Sequence, residues 1–123
     1  NIMFEHIDLQ TIKPLDLKPI KQSLKKTKKL LVLDTISHPV CSIGSEILSQ
    51  IYLDKEIKLS KPPILLTLPD IPSPTSSFYT KDFYVSKKDI VKKIEILTNK
   101  KISIKLRDSI NHDVPDLKFK GPF

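Results

Sequence analysis

The chain has 123 residues, enough for one domain with a core of its own and too few for two. Its 39% hydrophobic and 28% charged content excludes a disordered chain, and no apolar run reaches the roughly 20 residues of a membrane helix. The formal net charge of +7 comes from lysines and a single arginine, Arg107, which argues against nucleic acid as the partner, because phosphate and base recognition lean on the forked guanidinium.

The opening residues, NIMFEHIDL, already read as a strand over Phe4–Leu9, so that Asn1 looks like a cut end. Lys13-Pro14 stops that strand, and Asp16 offers a carboxylate oxygen for a helix N-cap. From there Leu17, Ile20, Leu24 and Thr27 recur at helical spacing, with Pro19 in the first turn and an end near Lys28. The short apolar run Leu30–Asp34 predicts a strand buried on both faces. After a loop, Ile43, Ile47, Leu48 and Ile51 predict a second helix from Ser42 to Leu53, with Gly44 allowing close packing near its start.

Pro62–Leu68 is the next predicted strand, followed by a proline- and serine-rich connection, Pro69 to Val85. Ser86 and Asp89 approximate a capping box for a last helix with Ile90, Val91, Ile94 and Leu97 on one stripe. The tail has one alternating patch, Ile102, Ile104 and Leu106, and reads as an extended arm over 99–123 after a domain over 1–98. Strands alternating with helices imply an α/β fold of three layers, α/β/α, around a mostly parallel sheet.

The sequence carries no self-contained catalytic constellation. His6, His38 and His112 have no ligand spacing for a metal, and His6 reads as a strand residue packed or hydrogen-bonded locally. Cys41 is the only cysteine, so no internal disulfide forms; it reads as a small buried thiol, and its single occurrence favours a reducing compartment. Asp34 and Glu46 are candidates for a carboxylate pair, and the two glycines, Gly44 and Gly121, build no phosphate cradle. No catalytic, cofactor-binding or metal-binding residue is therefore expected.

Parallel strands put the loop from Thr35 to Ile43 and the loop from Pro69 to Val85 on one edge of the sheet. The first carries His38. The second carries Phe78, Tyr79, Phe83 and Tyr84, a concentration of rings suited to an interface or to covering the domain's own core. These five residues are the candidate interface set.

The stretch EHIDLQTIKPLDLKPIKQSLKKTKKLLVLD, Glu5 to Asp34, resembles the C-terminal domain of the beta subunit of thiamine-diphosphate-dependent 2-oxo acid dehydrogenases, a domain shared with transketolases. It carries the family's pattern as Asp8-Leu9-Gln10-Thr11-Ile12, Lys13-Pro14-Leu15-Asp16, Ile20 with Ser23, Lys26-Thr27 and Leu31-Val32-Leu33. Further on, IGSEILSQI, PDIPSPTS and VSKKDIVKKIEIL are similar to the family's second helix start, acidic proline loop and final helix. The family has Arg where Gln10 stands, an acidic residue where Asp34 or Thr35 stands, and a glycine pair where Cys41-Ser42-Ile43 stands.

The resemblance implies the transketolase C-terminal fold, here without its first strand and helix. It implies an assembly role in a pyruvate dehydrogenase-type enzyme: association with alpha and beta subunits of a heterotetramer and docking on the acyltransferase core. Thiamine diphosphate and magnesium are implied for the parent enzyme and not for this segment. The implied location is cytoplasm, mitochondrial matrix or plastid stroma, with no membrane. The alternative is a diverged, non-catalytic relic of the domain serving as a scaffold subunit.

Overall fold

The computed structural model describes residues 2–80 and 83–105. In chain order these form α1 (Lys18–Thr27), β1 (Leu31–Asp34), α2 (Ile43–Leu53), β2 (Ile64–Thr67), the single turn α3 (Ser77–Thr80) and α4 (Lys87–Thr98). The predicted residues Leu106 and His112, and the arm from 106 onward, lie outside the described residues.

β1 and β2 are parallel, with Leu31 opposite Ile64 and Asp34 opposite Thr67, and α2 is the crossover between them. The α/β expectation therefore holds, with two strands among the described residues. The expectation of a strand buried on both faces fails: Leu31, Val32 and Asp34 are half-buried and Leu33 is 45% exposed, with Val32 on the face that packs against the helical core.

The core explains that asymmetry. Ile20 and Leu24 of α1 pack with Ile47 and Ile51 of α2 in one buried cluster, and Val32, Leu30, Leu17 and Ile57 lie against it. Burial of each such aliphatic side chain stabilises by about 2 kcal/mol, so this cluster is the main support of the helical layer. Gly44 lets α2 approach the sheet: a Cβ there would lie 2.5 Å from Leu65 Cδ1 and 3.3 Å from Val32 Cγ1. Leu68, Phe83 and Leu97 are buried outside that cluster.

The helix ends follow their sequence signals with one shift. α1 begins two residues after Asp16, with Leu17 at the N-cap and no side-chain cap. Asp16 Oδ1 instead accepts from the Lys18 amide at 2.9 Å, one residue into the helix, where Pro19 already occupies the first turn. Lys28 closes α1 in the left-handed region at φ 54°, its amide donating to the Leu24 carbonyl at 3.0 Å. Ser42 caps α2, accepting from the Ser45 amide at 3.0 Å. α4 opens on a complete capping box between Ser86 and Asp89 and closes on Asn99 at φ 55°.

The predicted first strand is not formed. Residues 4–9 pair with neither β1 nor β2; Ile7 and Leu9 lean on the α1–α2 core while Phe4 and His6 are exposed. Alternation specifies two faces, but a strand also needs a neighbour to satisfy its amides and carbonyls. His6 is thus an exposed residue of an irregular segment and not the packed strand residue expected.

Candidate interface at the carboxyl edge of the sheet

Asp34, the last residue of β1, shapes the first loop from inside. Its Oδ1 accepts from the Ser37 amide at 3.2 Å and its Oδ2 from the Gly44 amide at 3.4 Å, at the start of α2. The carboxylate therefore meets the electropositive helix end and has no carboxylate partner. Glu46, the other member of the candidate pair, is exposed and accepts from its neighbour Gln50 at 2.7 Å.

The loop reaches α2 through a serine cluster. Ser42 Oγ donates to the Pro39 carbonyl at 3.4 Å, and Ser45 Oγ donates to the same carbonyl. Between them Cys41 sits at φ 56° with its thiol exposed. The thiol is therefore not the buried one expected.

The two loops are bound together. Beyond the end of the β ladder, the Leu68 amide donates to the Ser37 carbonyl at 3.1 Å, and His38 Nδ1 donates to the Pro69 carbonyl at 2.6 Å. A carbonyl only accepts, so the Nδ1 proton is assigned by its partner. The His38 ring also meets Phe83 edge-on, at 6.4 Å between centroids and 64° between planes.

That arrangement divides the candidate set. Phe83 is 4% exposed and belongs to the domain's own core. Tyr84 is half-buried beside it, its ring 5.2 Å from Phe83 at 89°. His38, half-buried, is the clasp between the loops. Phe78 and Tyr79 are 71% and 67% exposed on α3 and stack edge to face on each other, with centroids 5.3 Å apart. Phenylalanine and tyrosine are among the residue types enriched in interface cores.

Three further exposed apolar residues belong to the same two loops and were not singled out by sequence: Ile36 at 86%, Val40 at 66% and Ile71 at 55%. The signal was their position, in loops leaving the carboxyl ends of parallel strands where no helical or strand period could bury them.

Among the described residues no group of three or more His, Cys, Asp and Glu side chains gathers in a form able to hold a metal ion. No described helix is long and apolar enough to cross a membrane.

With this geometry in place, comparison with known proteins decides the family. Residues 1–90 match the transketolase C-terminal domain. The chain belongs to that family. It is 34% identical over 91 residues to the pyruvate dehydrogenase E1 component subunit beta of Gracilaria tenuistipitata var. liui, covering 74% of this chain and 28% of that protein. The corresponding subunit of Cyanidium caldarium is 32% identical over 95 residues, covering 77% of this chain and 28% of the relative. The mitochondrial subunit of Chaetomium thermophilum is 37% identical over 70 residues, covering 57% and 18%. The chain thus resembles the C-terminal domain of a pyruvate dehydrogenase-type beta subunit, and spans 28% of the length of the first of these relatives.

Proposed function

We propose that the chain is the assembly domain of a pyruvate dehydrogenase E1 beta subunit, holding alpha and beta partners of a heterotetramer together and docking on the acyltransferase core. Family membership supports the parent enzyme. One observation carries the assembly role: Phe78 and Tyr79 stand exposed on a loop that His38 ties to the neighbouring loop. Aromatic side chains have few rotatable bonds, so a presented pair costs little side-chain entropy on binding.

In an enzyme of this type thiamine diphosphate and magnesium supply the decarboxylation chemistry. The described residues of this segment do not fit either group: they gather no carboxylate or imidazole set for a cation, and Gly44 is used in helix–sheet contact and not in a phosphate-cradling loop. No chemical step is assigned to them. The location that accompanies this role is the cytoplasm or an organelle matrix.

Co-expression with a pyruvate dehydrogenase alpha subunit from the same source, followed by size-exclusion chromatography with light scattering, tests the reading. The expected result is co-elution of the two chains. Separate elution at concentrations of about 10 μM, above the Kd of an ordinary specific complex, would overturn it.

A further inference from the structure

A second surface lies at the opposite edge of the sheet, where the strands begin. Here the α1–β1 connection and the α2–β2 connection are tied together: the Ser60 amide and hydroxyl both donate to the Lys28 carbonyl, at 2.8 and 3.0 Å. The segment around Ile57 runs between two hollows, and Ile57 lines both. One, of about 330 Å³, is lined by Leu24 and Ile57 together with Lys25, Lys28, Lys58 and one acid, Glu56. The other, of about 430 Å³, is mainly apolar and includes Leu48 and Tyr52, the latter 91% exposed.

The charge over these hollows is one-sided. The acids of this edge are already engaged: Asp54 pairs with Lys21 at 2.6 Å and Glu56 with Lys25 at 3.1 Å. Lys28, Lys29, Lys55 and Lys58 are exposed and meet no carboxylate among the described residues. Lys28 and Lys58 line the smaller hollow, Lys29 and Lys55 lie near them in sequence at the same edge, and the larger hollow beside them is mainly apolar, which together make a surface complementary to an acidic ligand that also carries apolar side chains.

The geometry points to this edge as a docking site for an acidic peptide segment whose apolar side chains enter the two hollows. A peptide fits better than the other polyanions. A nucleic-acid backbone has no aliphatic side chains to fill the hollows, and a bilayer surface does not project into concavities of side-chain size. The site shares no residue with the carboxyl-edge loops, so it stands whether or not those loops bind a subunit.

Fluorescence anisotropy with a labelled peptide Asp-Glu-Leu-Glu-Phe-Asp-Leu-Glu, titrated with the full chain at low salt, tests it. Saturable binding is expected. It should weaken about tenfold in the Lys28→Glu, Lys58→Glu variant, and about tenfold when serine replaces the peptide's leucines and phenylalanine. A second variant, Lys29→Glu with Lys55→Glu, should weaken binding in the same direction with unchanged circular dichroism. Absence of binding would overturn the proposal. So would equal binding of the serine peptide, or equally tight binding of heparin or of phosphatidylserine vesicles, which would mark a general polyanion surface.

Discussion

His38 Nδ1 donates to the Pro69 carbonyl at 2.6 Å, linking the exit of one strand to the exit of the next across 31 residues of sequence. His38→Ala removes the bond and the edge contact with Phe83 together, and should cost about 1–2 kcal/mol. Urea unfolding followed by circular dichroism checks this, as a lower midpoint at unchanged slope.

Gly44→Ala sets two effects against each other. Alanine gains about 1 kcal/mol in helix propensity, but its methyl would stand 2.5 Å from Leu65 Cδ1. Overpacking costs about 1–3 kcal/mol, reduced here because the clashing atom ends a flexible side chain. The expected net is about 1 kcal/mol of destabilisation. In a Leu65→Ala background the substitution should be neutral or stabilising, read as a coupling energy in a double-mutant cycle.

Those two contacts also mark the limits of reading the chain by sequence. Gly44 was legible because a glycine near a helix start facing a strand has few other uses, and the periods of α1, α2 and α4 and the apolar runs of β1 and β2 were legible for the same local reasons. The His38 clasp was not, because nothing local to His38 or Pro69 announces a contact 31 residues away. The division between Phe83 and Phe78 was equally hidden: both stand in an aperiodic loop, and only the packing of His38 against one ring decides which is core. Phe4–Leu9 forms no strand because alternation specifies two faces and says nothing about a pairing partner.

The Ser86–Asp89 capping box predicts a pH dependence. Hydrogen bonds from the Ser86 hydroxyl and then the Ser86 amide, the latter at 2.9 Å, hold the Asp89 carboxyl below its usual range. A depressed folded pKa means the contribution is complete above the unfolded value of about 3.9 and is lost as pH falls through the folded value. Ser86→Ala should cost about 1 kcal/mol at neutral pH. The difference from the parent chain should shrink below about pH 4, measured as thermal melting of both proteins across pH 2.5–7, a window chosen around the roughly 3.9 of an unfolded Asp.

Phe83 and the Phe78–Tyr79 pair should behave as opposites. Phe83→Ala opens a cavity beside His38 and should cost about 3 kcal/mol in unfolding free energy. Phe78→Ala with Tyr79→Ala removes exposed rings and should leave the unfolding midpoint within about 0.5 kcal/mol of the parent.

The assembly role is tested most directly by sedimentation velocity of the Phe78→Ala, Tyr79→Ala chain with a pyruvate dehydrogenase alpha subunit, circular dichroism serving as the folding control. An intact fold and an association weakened by about 2 kcal/mol or more are expected. An intact fold with unchanged association would rule the assembly role out.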